Sequence, residues 1–452
     1  MMENKPLPVI AIFDVGKTNK KLLLFDEHYN LVYERSAKFL ETVDEDGDHC
    51  ENLESLRLSV FDSLHQVFRM KQFEVKAINF TSYGASLVYV DHDGMPLTPL
   101  YNYLKEYPVT LSDQLYHKYG GATQFSLETA SPLLGSLNSA LQLYRIKLQK
   151  PDTFEKMKYA LHLPQYLSFL VSGEYYADMT SIGCHTAFWD YKRNSYHQWI
   201  EQEGLIAKMA PITSGKDVFS ATFPGNNYVV GTGFHDSSSA LIPYLINFHE
   251  PFVLISTGTW CITLNPFAET NLSEEELKSD CLFYMTYDGT PVKASRLFAG
   301  YEHEVQAKRI ADHFEVAVSK FRNIDIDWNI ISTIEESSIS NCNLDRFAER
   351  DLTSFTDYTV AYHTLIYDLV HAQIQSSNLV LCIDRCKRIF VDGGFSKNQI
   401  YMSLLAKYFP LMEVYAASMA QATALGAALA VHSHWNSQPI PADIIELKFY
   451  RT

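Results

Sequence analysis

The chain has 452 residues, 47% hydrophobic and 20% charged, which is ordinary globular composition and long enough for two or three domains. Its 37 basic and 53 acidic side chains leave a formal charge of −16. That balance excludes a broad nucleic-acid or acidic-membrane footprint, though not a local basic patch around a phosphate. Seven cysteines scattered from Cys50 to Cys386 form no disulfide framework.

The apolar run before Asp14 is too short for a secretory leader, so a cytoplasmic protein is expected. Residues 9–13 and 22–25 are short apolar runs flanking the polar turn Asp14-Val15-Gly16-Lys17-Thr18-Asn19, and they predict a β-hairpin. Phosphate-binding turns need inward N–H groups, hydroxyls, and glycine where backbone approaches oxygen. Gly16, Thr18 and Asn19 meet that need, and Asp14 at the lip is placed to hold Mg²⁺ through water. Helical spacing predicts a helix over 53–72, then strands over 76–80 and 86–91, a helix over 136–149 and a strand over 228–231. Next comes Gly233-Phe234-His235-Asp236-Ser237-Ser238-Ser239. Its carboxylate beside histidine suits proton abstraction from an alcohol, and Asp and Ser are equally the residues that start helices.

A second hairpin of the same grammar spans 252–264, with Ser256-Thr257-Gly258-Thr259 in its turn. The recurrence suggests two related halves, dividing between Ala240 and Pro251. Ser273 with Glu276 predicts a capping box, and 358–376 a helix. Strand 388–392 leads into Asp392-Gly393-Gly394-Phe395-Ser396-Lys397-Asn398 and a helix over 399–408. Paired glycines there permit a flat ligand or phosphate to lie against backbone and a helix start. Residues 411–431, alanine-rich and interrupted by Glu413 and Gln421, predict a buried helix rather than a membrane span. Cys382/Cys386 matches no usual zinc spacing, His432/His434 reads as a solvated helix end, and Glu302-His303-Glu304 as a charged helix face. Alternating strands and helices make the class α/β.

The order DVGKTN, HDSSSA, STGTW, DGGFSKN and ATALGAALA resembles the FGGY family of carbohydrate kinases over nearly the whole chain. The resemblance implies two ribonuclease-H-like domains of the actin and hexokinase superfamily flanking a catalytic cleft, residues 1–243 and 244–452. It implies ATP and Mg²⁺ as cofactors, a small sugar as the partner, no nucleic acid or membrane, and a homodimer as an admissible assembly. Asp236 is the implied general base. Asp14, Gly16, Lys17, Thr18 and Asn19 form the implied first phosphate motif, with Asp14 at the metal. Ser256, Thr257, Gly258 and Thr259 form the second, and Gly393, Gly394, Ser396 and Asn398 lie at the adenosine site. Residues 78–94 most resemble rhamnulokinases and fuculokinases, so Tyr83, Gly84, Ser86, Asn102 and His235 are the expected sugar contacts. Tyr101 and Tyr103 also lie where the family places substrate. Tyr83 stands where rhamnulokinases carry tryptophan and Ser86 where they carry aspartate, while the Arg-Glu pair of glycerol kinases is absent. The expected reaction is phosphorylation of a ketose, L-rhamnulose or L-fuculose. The alternatives are a kinase for another ketose or polyol, such as ribulose or xylulose, and a non-catalytic ATP- or sugar-responsive regulator or chaperone-like ATPase.

Overall fold

Both hairpins form, and each seeds a sheet. The computed structural model describes residues 5–17, 19–225, 227–337, 347–382, 385–419 and 421–451. In the first half, β1 (Leu7–Val15), β2 (Lys20–Asp26) and β3 (Leu31–Ala37) run antiparallel in succession. Helix α1 (Leu53–Phe68) returns the chain to β4 (Phe73–Ser82), which pairs parallel with β1. Beyond an inserted region, helix α2 (Leu163–Ser172) precedes β5 (Val218–Ser220), β6 (Val229–Gly231) and β7 (Phe234–His235). The spatial order is β5-β6-β4-β1-β2-β3, with β7 on the end of β4. Helix α3 (Asp236–Asn247) follows directly.

The second half repeats this plan. Strands β8 (Phe252–Thr257) and β9 (Cys261–Asn265) are antiparallel. Strand β10 (Cys281–Met285) lies outside β11 (Pro291–Leu297), which pairs antiparallel with β9. After helices α4 (Ala299–His313) and α5 (Tyr358–Asn378), β12 (Arg388–Gly393) joins β8 in parallel. Helix α6 (Gln399–Tyr408), strand β13 (Glu413–Ser418), helix α7 (Ala422–Ala430) and strand β14 (Glu446–Tyr450) complete the second sheet and its cover. In each half an antiparallel three-strand meander is extended by two parallel strands, the ribonuclease-H-like arrangement the sequence implied.

Each sheet is buried on both faces, which explains why its central strands are continuous apolar runs. One face of β1 packs Val9, Ala11 and Phe13 against Leu56, Val60 and Leu64 of α1. The other packs Ile10 and Ile12 against Ala424, Ala427 and Ala428 of α7. Helix α3, from the first half of the sequence, sends Leu241 and Tyr244 against Phe252, Leu254 and Phe390 of the second sheet. The two halves have exchanged helices.

The crossing of α3 and α7 is close. A Cβ on Gly426 would lie 1.8 Å from the Ser239 carbonyl oxygen, so the backbones touch where only hydrogen fits. Ser239 Oγ donates to the Thr423 carbonyl (2.7 Å), and buried Asn79 donates to the Ala427 carbonyl (2.8 Å) while accepting from Gly233 N (3.0 Å).

Two expectations are corrected. Residues 411–431 are not one helix: Glu413–Ser418 is a strand paired with both β12 and β14, and the helix is limited to α7. Short strand and short helix, both apolar, share a composition that periodicity could not divide. The stretch between Ala240 and Pro251 holds the end of helix α3, which stops at Asn247 and packs Leu241 and Tyr244 on the second sheet. His432 is no solvated helix end; it is half-buried, and its Nδ1 lies 2.6 Å from the Tyr29 hydroxyl. The Ser273/Glu276 capping box forms as read.

Gly426→Ala is expected to cost about 1–3 kcal/mol through overpacking, despite a helix-propensity gain of about 1 kcal/mol. Gly394→Ala, whose Cβ would meet nothing nearer than 3.9 Å, is the control and stays within about 0.5 kcal/mol. Urea unfolding of both variants checks this; equal midpoints would mean that the crossing is not tightly packed.

Candidate functional site

The carboxyl ends of β1, β4 and β7 meet in one place, because register aligns Asp14 with Thr81 and Phe234, and Val15 with Ser82 and His235. Asp236, one residue beyond His235, opens α3. Asp14 and Asp236 thus flank the end of β4. Burial, opposed by a hydrogen bond from Thr423 and reinforced by the charge of Asp236, pushes the Asp14 carboxyl up to about 6. Lys21, its register partner on β2, pulls the other way.

Asp236 is the accessible member, its side chain 34% exposed, while His235 beside it is buried. Its Oδ1 accepts from Ser237 N (2.6 Å) and Ser237 Oγ (3.2 Å), which fixes the carboxylate at the helix start. His235 Nε2 lies 3.3 Å from that same oxygen and 3.1 Å from Cys184 Sγ. The imidazole stacks on Tyr284 of the second half, with centroids 5.7 Å apart. Gly84 leaves it room, since a Cβ there would stand 2.7 Å from the ring. Burial lowers the His235 pKa and raises that of the Cys184 thiol well above its usual value, so both are neutral near pH 7.

Around this centre the Tyr83 and Tyr103 rings lie 5.8 Å apart, and Lys17 Nζ sits 5.8 Å from each centroid. Lys20 braces the first turn, donating to Lys17 O and Glu51 Oε1, both at 2.8 Å. The turn closes through Gly16 N to Asn19 O (2.9 Å); Thr18 lies outside the described residues. The buried hydroxyls of Tyr83 and Ser86 lie close to one another, and among the described residues neither has any other hydrogen-bond partner, which suits groups that meet a polar ligand. Ala85 between them is left-handed (φ 60°), and Gln142 holds its carbonyl at 2.6 Å. Asn102 differs: its amide donates to His49 O and its oxygen accepts from Leu104 N, so loop structure uses both ends. Tyr101 is turned to Glu45 and Lys150.

In the second half, Ser256 and Thr257 of β8 pair with Asp392 and Gly393 of β12. The Thr257 hydroxyl donates to Asp392 O (2.5 Å) and accepts from Phe395 N (3.0 Å). Its carbonyl accepts from Gly394 N, so Thr257 welds the two turns together. Gly393 (φ 90°) is required by that weld, since a Cβ would fall 2.0 Å from the Thr257 carbonyl. Gly394 instead borders open space. Ser396 donates to Gly393 O, and Asn398 caps α6 and donates to Tyr362. Gly258 and Thr259 keep an open turn, closed by Gly258 N to Trp260 O (2.9 Å). Trp260 leans on Phe298 and on the guanidinium of Arg296, itself held in bidentate fashion by Asp280.

Thr423, Cys184 and Tyr284 join the site without having been assigned from sequence. Thr423 lies inside the quoted ATALGAALA, but helix composition carried no sign that its hydroxyl meets Asp14. A different acidic cluster, Asp44, Asp46 and Asp48, has cation-binding spacing, yet Lys105 Nζ already sits 2.5, 2.7 and 3.0 Å from the three carboxylates. An all-oxygen lip at Asp14 and Asp236, where the charge of Asp236 raises the cost of ionising Asp14, fits a hard divalent cation such as magnesium. Among the described residues, no helix is long and apolar enough to cross a membrane.

Two family models match the chain: the N-terminal domain of the FGGY family of carbohydrate kinases over residues 9–227, and the carbohydrate kinase FGGY C-terminal domain over 249–439. The chain belongs to the FGGY family of carbohydrate kinases. It is 24% identical to a rhamnulokinase of Halalkalibacterium halodurans over 182 residues, 39% of this chain and 37% of that one. It is 19% identical to an L-fuculokinase of Escherichia coli over 278 residues, 59% and 58% of the two chains. These alignments span less than two thirds of the curated relatives' length. A carbohydrate kinase structure from Novosphingobium aromaticivorans superposes with a TM-score of 0.79 at 21% identity, covering 99% of this chain and 94% of that one. A xylulose kinase from Lactobacillus acidophilus gives 0.78 at 15%, covering 98% and 94%. Likeness at these identities shows the fold.

Asp14 carries a stability signature. Its native pKa of about 6 lies above the ordinary 3.8, so ionising it opposes folding fully above pH 6 and not at all below about pH 4. Asp14→Asn is therefore expected to stabilise the protein by on the order of 2–3 kcal/mol at pH 7.5, the gain vanishing toward pH 4. Urea unfolding at both pH values tests the sign; a gain independent of pH would mean that Asp14 ionises normally.

Proposed function

We propose that this chain transfers the γ-phosphoryl group of MgATP to a hydroxyl of a ketose, with L-rhamnulose and L-fuculose the first candidates. The observation that carries the reading is Asp236, an accessible carboxylate fixed at a helix start across β4 from a second, half-buried carboxylate. An alcohol becomes a competent nucleophile when its proton has an acceptor within hydrogen-bond reach, and Asp236 serves as that acceptor. His235, neutral and shared between Cys184 and Asp236, orients the carboxylate and the sugar rather than acting as base. Tyr83 and Ser86 offer their hydroxyls to the sugar, Gly84 backs them, and Asn102 borders the loop.

Asp14 and the turn of Gly16, Lys17, Thr18 and Asn19 receive the transferring phosphoryl from one side; Ser256, Thr257, Gly258 and Thr259 receive the polyphosphate from the other. Gly394, beside open space, with Gly393, Ser396 and Asn398, borders the adenosine. Asp14 would hold magnesium through water, and bound magnesium supplies neutralisation of the triphosphate charge. The sugar-side half is residues 1–243 and the nucleotide-side half 244–452, in a cytoplasmic enzyme. The rhamnulokinase and L-fuculokinase relatives support a deoxyketose; ribulose and xylulose are the other ketoses to test.

ADP release by purified protein over a panel of ketoses tests the reading, with turnover expected on a deoxyketose. Asp236→Asn should lower kcat about 10²–10⁴-fold while sugar and MgATP still bind. His235→Gln should be less damaging. No ketose-dependent ADP release, or a fully active Asp236→Asn variant, would sink the proposal.

A further inference from the structure

Asp14 lies near the end of a strand of the first half, yet the hydroxyl that holds it comes from residue 423. Thr423 Oγ1 donates to Asp14 Oδ2 at 3.0 Å, across 409 residues of sequence. The contact is built in from three directions. Thr423 O accepts from Ser239 Oγ on α3, and Gly426, one turn further along α7, rests on the Ser239 carbonyl. The apolar side of α7 is seated on Ile10 and Ile12 of the strand that carries Asp14. On the polar side, Lys21 beside Asp14 reaches Gln421 Oε1 at 3.4 Å. The threonine therefore cannot drift from Asp14 unless α7 leaves the sheet.

We propose that Thr423 is a positioning residue for the magnesium site: by occupying Oδ2, it turns Oδ1 of Asp14 toward the cation and its water. This rests on the reading of Asp14 given above. A carboxylate on a β-strand end has a freely rotating terminal torsion, and one fixed hydrogen bond removes that freedom before the metal arrives. Groups behind a metal ligand typically contribute tenfold or more to metal affinity. In this role the side chain acts through Asp14 alone. Its loss should appear in metal binding first and in sugar binding not at all.

The test is Mn²⁺ binding to the full-length protein with ADP, followed by electron paramagnetic resonance, alongside calorimetry of sugar binding. Thr423→Val, nearly isosteric, should weaken Mn²⁺ affinity about tenfold with sugar affinity unchanged, and Thr423→Ser should recover it to within about twofold. Should valine not be accommodated, Thr423→Ala carries the same comparison with serine. Asp14→Ala is measured in parallel. If Asp14→Ala loses Mn²⁺ while the valine or alanine variant binds it like wild type, the positioning role is overturned and Asp14 keeps its own. If Asp14→Ala also binds normally, the assignment of the metal to Asp14 falls, and this inference with it. Equal loss in the serine and valine variants would mean that the hydroxyl is not what matters, which likewise overturns it.

Discussion

The contact between Gly426 and the Ser239 carbonyl indexes the whole centre. Three residues before Ser239 stands Asp236, and three before Gly426 stands Thr423, so one backbone-to-backbone touch sets both relative to β1. A side chain at 426 would part the helices and shift both sides of the centre together. Interiors are packed too densely to absorb such a shift locally. Alanine-rich α7 is the matching device, since small residues let it lie close to β1 and α3 at once.

The two halves use the same strand plan for opposite kinds of site. In the first, the buried hydroxyls on Tyr83 and Ser86 have, among the described residues, no partner beyond one another. In the second, Thr257, Ser396 and Asn398 spend their side chains on the protein itself, and open space is left beside Gly258 and Gly394. Side-chain donors suit a sugar, whose hydroxyls differ in position and must be told apart. Backbone at a glycine turn suits a polyphosphate, which presents the same oxygen repeatedly.

Much of this was legible in the sequence. Hairpins show as short apolar runs around a polar turn, and Asp14 and Asp236 stood out because carboxylates at such turns are rarely idle. The capping box at Ser273 was readable because its chemistry is confined to four residues. What was hidden is what the chain brings from afar. Thr423 beside Asp14, Tyr284 beneath His235 and Cys184 at its Nε2 are contacts across tens to hundreds of residues, and no local spacing encodes them. The misjudged stretch 411–431 failed for a related reason: β13 is a strand because β12 and β14 await it, not because of its own periodicity. Likewise Thr257 and Asn398 look like ligand donors in sequence, and only the fold reveals that they are already engaged.

The exchange of helices also orders events at the ribosome. The face of the first sheet bearing Ile10 and Ile12 has Ile242 of α3 against it but lacks the alanines of α7 until the end of the chain has been made. At about 5–20 residues per second, the 409 residues between Asp14 and Thr423 take roughly 20–80 s to synthesise. Through that interval the nascent first half presents an apolar sheet surface with part of its cover still unwritten. The core of the first half therefore closes only once the far end of the chain has been made.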